Sequence, residues 1–170
     1  MKRISIVVGA IGLSAAAPAH AGELFGGVFI HDVKTPLTHS GIEGGLDLQV
    51  GWRGDRIGPT PLQPYAFAAL NTSGNTNYGA LGISAKFGGN VYVRPGLGLA
   101  IHTGSAGDFQ RPDKIAFGSR ILFAPELSVG TQINDRVTVE ASWVHMSHAQ
   151  LLSSQNPGID NFGVRLNFAF

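Results

Sequence analysis

Apolar residues recur at every second position over runs of about ten residues, and that alternation limits this chain to strands. Side chains of a strand point alternately to opposite faces, so each run has one greasy face and one other. From Val91 to His102, Val91, Val93, Pro95, Leu97, Leu99 and Ile101 oppose Tyr92, Arg94, Gly96, Gly98, Ala100 and His102. From Ser119 to Gln132, Ile121, Phe123, Pro125, Leu127 and Val129 oppose Arg120, Leu122, Ala124, Glu126 and Ser128. Leu46, Leu48, Val50 and Trp52 oppose Asp47, Gln49, Gly51 and Arg53, while Phe162, Val164, Leu166, Phe168 and Phe170 oppose Asn161, Gly163, Arg165 and Asn167. Eight runs can be marked, each bounded by Gly, Pro, Asn or Asp: Glu23–Asp32, Glu43–Arg53, Leu62–Leu70, Asn77–Phe87, Val91–His102, Ser119–Gln132, Arg136–Met146 and Asn161–Phe170. The first, third and fourth alternate less cleanly. No stretch has a helical period, and no linker or low-complexity segment divides the chain. The reading is one all-β domain.

Two architectures can use such strands. A soluble sandwich or lipocalin-like barrel would turn the greasy face inward. A transmembrane β-barrel turns it to lipid and closes on itself, because lipid satisfies no backbone N–H or C=O. The second face decides between them. It mixes glycine with Arg94, Arg120, Glu126, Glu140 and Arg165, which suits a narrow lumen where charges pair and small residues make room. The last run ends on Phe170 after Phe162, Leu166 and Phe168, with no polar tail. The expected fold is an eight-stranded antiparallel transmembrane β-barrel of up-and-down topology, filled by side chains and not open as a pore.

The first residues fit export. Lys2-Arg3 precede an uncharged run, Ile4–Ala17, and then Pro18-Ala19-His20-Ala21, so residues 1–21 read as a signal peptide cut after Ala21. The run is too short for a spanning helix, which needs about 20 residues. Residues 22–170 are then the barrel, without cysteine and so without disulfides. Losing Lys2 and Arg3 from 12 basic residues leaves 10 against 11 acidic ones, a net charge of −1. No basic patch offers a nucleic-acid surface. The expected location is the outer membrane, with its lipid as the surroundings and a homodimer left open. Short turns of such barrels face the periplasm and longer loops face out. That places Gly54–Pro61, Gly88–Asn90 and Ile133–Asp135 inside, and Val33–Ile42, Asn71–Thr76, Thr103–Gly118 and Ser147–Asp160 outside.

Chemistry is expected where the seventh run meets the last external loop. Val137, Val139, Ala141, Trp143, His145 and Ser147 share one face, against Thr138, Glu140, Ser142 and Val144. Asp160 has the parity of Phe162 and Val164 on the next strand, where opposed residues lie about 5 Å apart. An acid, an imidazole and a hydroxyl thus converge on the lipid face near the headgroups, an uncommon place for polar groups. A serine hydroxyl becomes a nucleophile when an adjacent base takes its proton and a third group fixes that base's tautomer. Ser147, His145 and Asp160 have the types for those roles; on spacing alone they could equally begin a polar loop. His31, Asp32 and His39 lack the spacing of a metal site. His102 points inward, Trp52 and Trp143 read as lipid-facing or interface aromatics, and the five lumen charges read as a structural network.

HMSHAQ followed by NPGID near the C-terminus resembles the lipid A 3-O-deacylases of the PagL type, outer-membrane esterases with an H-x-S pair and a later acid. GVFIHDV, GGLDLQVGWRG and the closing Phe170 extend the resemblance over residues 22–170. The resemblance implies removal of an ester-linked acyl chain, at the 3 position, from lipid A of lipopolysaccharide without a cofactor. Carried over, Ser147 is the nucleophile, His145 the general base and Asp160 the orienting acid. The His148 backbone N–H and the Asn156 side chain are the oxyanion candidates. The chain departs from the family where Asp160 replaces the usual Glu and His148 the usual Asn after the serine. A non-catalytic structural or adhesive barrel, and an esterase acting on phospholipids, are the alternatives.

Overall fold

A computed structural model of the protein describes residues 22–38, 41–108 and 112–170. The segment read as a signal peptide and His39 lie outside the described residues. Eight strands follow one another: β1 (Glu23–Ile30), β2 (Leu46–Arg53), β3 (Leu62–Asn71), β4 (Tyr78–Ala85, resuming over Phe87–Gly88), β5 (Val91–His102), β6 (Ile121–Gln132), β7 (Val137–Met146) and β8 (Ile159–Ala169). Each pairs antiparallel with the next. β8 returns to β1, in a register running from Glu23 opposite Ala169 to Ile30 opposite Phe162. The sheet therefore closes, and no edge is left for lipid to face.

Strand ends differ from the expected ones for local reasons. β2 begins at Leu46 and not at Glu43, because Gly45 (φ 102°) turns the chain and Glu43 is drawn inward to His31. β4 lapses at Lys86, beside the register position of Pro95, whose nitrogen has no proton to give the ladder. β6 begins at Ile121, which leaves Arg120 outside the lumen. Its guanidinium caps the His102 and Gly104 carbonyls at 2.6 and 2.7 Å, so Arg120 does not belong to the interior network.

Exposure settles which face is which. Val50 is 65% and Leu97 61% exposed, while Arg53, Arg94 and Arg165 are at most 2% exposed. The greasy face is outside. The interior is not only small and charged, however. Phe25, Phe29, Tyr65, Phe67, Tyr78 and Tyr92 fill it, mostly from the strands whose alternation is least clean. Lumen glycines make the room: a Cβ on Gly51 would lie 2.6 Å from Phe67 Cβ, and one on Gly130 2.5 Å from Tyr92 Cζ.

Charges thread through these rings. Arg53 and Arg94 both bond Glu23, and Glu140 accepts from the Tyr92 hydroxyl at 2.9 Å. Arg165 is the hub. It donates to Gln49 at 2.6 Å and Glu126 at 2.8 Å, and its guanidinium sits 5.1–5.4 Å from the rings of Phe25, Phe29 and Phe67. Removing one partner of a buried pair strands the other, at a cost of about 3–5 kcal/mol. Arg165→Ala is expected to lower the stability of the barrel in detergent by that amount, read from the heat-modifiable shift between folded and unfolded gel bands. An unchanged midpoint would mean that Glu126 finds another partner.

Candidate active site

Antiparallel register brings the catalytic candidates together. His145 lies directly opposite Asp160, and Trp143 opposite Phe162. β7 ends at Met146, but one further rung holds: Ser147 and Phe123 exchange both backbone hydrogen bonds, at 2.8 and 3.1 Å. Ser147 therefore keeps strand geometry, and its side chain leaves on the same face as His145. The His145 ring spans the two: Nε2 is 3.0 Å from Ser147 Oγ, and Nδ1 is 2.8 Å from Asp160 Oδ1.

The protonation pattern follows from the partners. Asp160 Oδ1 also accepts the indole N–H of Trp143 at 2.8 Å, and Oδ2 accepts the hydroxyl of Thr35. A carboxylate so surrounded is acceptor only, so His145 carries its proton on Nδ1. The Nε2 lone pair then faces the Ser147 hydroxyl, the arrangement a general base needs. His145 and Ser147 are half-buried, open to the outside of the barrel. Asp160 is not exposed to lipid as its parity suggested; it is fully buried beneath its three donors.

Two loops frame the site. The segment 31–38 is fastened to the start of β8, with the Val33 N–H on the Asp160 carbonyl at 2.7 Å and the Asp32 N–H on Asn161 Oδ1 at 2.9 Å. Asp32, at φ 53°, gathers the N–H groups of Gly41, Ile42 and Glu43 on one oxygen. The loop after Ser147 turns through Ala149 and Gln150, both left-handed, and returns through Gly158 (φ 67°). A Cβ on Gly158 would lie 3.3 Å from His145 Cε1 and 3.2 Å from Thr38 Cγ2, so glycine serves there both for its φ and for its size.

His148 and Asn156 do not sit side by side as two donors. The His148 N–H donates to Asn156 Oδ1 at 3.0 Å, so that N–H is engaged, and the Asn156 Nδ2 hydrogens are what the pair can offer. The His148 ring is buried and ties the loop down, with Nε2 at 2.9 Å from both the Phe117 and Gln155 carbonyls. Sequence reasoning missed Thr35 altogether and read Trp143 as a lipid-facing or interface aromatic, without its bond to Asp160. The i, i+2 spacing of Trp143 and His145 was a readable sign. Thr35 left none, since alternation says nothing about where a loop folds back.

The remaining candidates lie elsewhere. His102 is in the lumen, with Nε2 2.7 Å from the Ser119 carbonyl. His31, just beyond β1, is held between Asp47 at 2.9 Å and Glu43 at 3.2 Å. Burial disfavours its charged form, but the hydrogen bonds to Asp47 and Glu43 and the charges behind them outweigh that, raising it to about 9. Burial would raise Glu43, but His31 and the N–H groups of Thr76 and Ile115 lower it to about 2. The His31 contribution to stability is thus whole below its ordinary 6.5 and lost as pH rises through about 9. The Glu43 contribution is whole above 4.5 and lost as pH falls through about 2. Urea midpoints are expected to peak between these ordinary values and fall by about pH 9.5, with the alkaline fall absent in His31→Gln. An alkaline fall that persists in that variant would assign it to another group.

Fold and site together define an outer-membrane type of β-barrel that carries a serine, a histidine and an aspartate in one hydrogen-bonded line on its outer wall. The chain belongs to the lipid A 3-O-deacylase (PagL) family, whose model matches residues 40–169. Among solved structures, it is similar to the crystal structure of the outer membrane enzyme PagL, with a TM-score of 0.61 and 17% identity over 86% of this chain and 99% of that one. It is also similar to Neisserial surface protein A (NspA), with a TM-score of 0.58 and 14% identity over 88% and 97% of the two chains. At such identities the likeness concerns the fold. No curated protein sequence matches it significantly.

Proposed function

We propose that this protein is an outer-membrane esterase that removes the ester-linked acyl chain at the 3 position of lipid A. The observation that carries the proposal is the Asp160–His145–Ser147 line on the lipid-facing wall, at the end of the barrel where the long loops lie. A site opening sideways suits a substrate that stays in its leaflet. In this reading residues 1–21 are a cleaved export signal and the long-loop end faces outward.

Ser147 Oγ attacks the ester carbonyl while its proton passes to His145 Nε2. The carbonyl oxygen becomes an oxyanion, and the Asn156 amide is the donor for it. The tetrahedral intermediate collapses by breaking the bond to the sugar oxygen, which takes the proton from His145 and leaves as the free hydroxyl. Water, deprotonated by the same imidazole, then attacks the acyl-serine. A free fatty acid leaves, and Ser147 regains its proton. Asp160 stabilises the imidazolium in both halves.

The test is expression in a host whose lipid A keeps its 3-acyl chain, followed by mass spectrometry of lipids. The expected result is lipid A lighter by one acyl chain, with phospholipids intact. Lysophospholipid with unchanged lipid A would transfer the same chemistry to phospholipid. No change in either class, from folded barrel, would leave a non-catalytic surface protein.

A further inference from the structure

We propose that Thr35 and Trp143 are positioning residues that set the Asp160 carboxylate for catalysis, so that the segment 31–38 is part of the active site. The inference rests on the triad reading above and adds to it. Thr35 lies outside the residues that the family model matches.

Aspartate has one methylene before its carboxylate, so its oxygens have little reach of their own. Three donors fix them. His145 Nδ1 and Trp143 Nε1 share Oδ1, each at 2.8 Å, and the Thr35 hydroxyl takes Oδ2. With both oxygens bound, the carboxylate cannot turn away from the imidazole.

Neither donor is placed casually. Trp143 stands two residues before His145 on β7, so both rings leave one face, with centroids 6.0 Å apart. The indole stacks at 28° on Phe162, its cross-strand partner, at 6.4 Å. That packing turns its N–H towards Asp160. The Thr35 hydroxyl accepts the Leu37 N–H at 3.1 Å, so its single proton is left for Asp160. The segment that carries it is pinned to β8 by the Val33 and Asp32 N–H bonds. A buried carboxylate needs partners in any case. A merely solvating role, however, would affect folding and not turnover.

Purified protein in detergent with lipid A as substrate tests this, once the gel shift shows a folded barrel. Thr35→Val and Trp143→Phe are each expected to lower kcat about ten- to a hundredfold, by analogy with the loss seen when the hydrogen-bond partner of a metal-binding side chain is removed. KM should change little. Thr35→Ser, which restores the hydroxyl, should recover most of the loss. In an Asp160→Ala background the same two changes should cost nothing further, because they act through Asp160. A wild-type kcat in folded Thr35→Val, failure of serine to rescue, or an equal loss without Asp160 would overturn the proposal. Thr35→Ala takes the place of valine should that variant not fold. If Ser147→Ala is inactive while Thr35→Val is normal, only this inference falls. If Ser147→Ala is fully active, the triad reading falls and takes this one with it.

Discussion

Ser147→Ala and His145→Ala are expected to leave a folded barrel that deacylates lipid A at least about 10³-fold more slowly than the parent protein. The structure explains why folding survives. Ser147 contributes to the sheet through its backbone, with both bonds of its rung to Phe123 made by N–H and C=O, and alanine keeps them. His145 leaves behind an acid that still accepts from Trp143 and Thr35, so no buried charge is abandoned. Activity cannot survive in the same way. In the proposed mechanism Ser147 Oγ is the nucleophile and His145 Nε2 takes its proton, so alanine at either position removes a step. The double variant should be hardly slower than either single one, because residues acting as a unit do not add. The measurement is turnover by purified protein, with the heat-modifiable gel shift as the folding control. Near-normal turnover by folded Ser147→Ala would end the nucleophile assignment.

Alternation carried most of the fold. A period of two with exposed apolar positions leaves little besides a closed barrel, since neither edge of a strand in lipid can leave its backbone unpaired. It failed where it had to. Phe25, Phe29 and Phe67 are as apolar as the residues facing lipid, so parity within β1 and β3 cannot say which set is inside; only the opposed glycines decide that. Arg120 shares the parity of Leu122 and Glu126, but lies one residue before β6, where parity has lost its meaning. The convergence of the candidate residues was legible in the same measure. Register follows from strand pairing, and it puts His145 opposite Asp160. The partner of the His148 N–H and the reach of Thr35 depend on loop paths, set by left-handed turns at Asp32, Ala149 and Gln150 in residue types that do not demand them.

Those loop contacts change what the acid variant should do. Replacing the triad aspartate by asparagine in a well-studied serine protease costs about 10⁴ in turnover, because the amide forces the wrong histidine tautomer. Here the amide of Asp160→Asn has a choice. Its nitrogen cannot sit at the Oδ1 position, where it would meet two N–H donors, His145 and Trp143. It can sit at the Oδ2 position, because the Thr35 hydroxyl can rotate and accept. The amide oxygen would then still hold the Nδ1 proton, and only the charge that stabilises the imidazolium would be gone. A charge-assisted hydrogen bond is worth about 1.5–3 kcal/mol, which is roughly 10- to 100-fold in rate. Asp160→Asn is therefore expected to retain measurable deacylation, well above Ser147→Ala. Adding Thr35→Val should reduce it again, since valine cannot accept from the amide. A loss as deep as that of Ser147→Ala, unaffected by Thr35, would show that the amide is held the other way round.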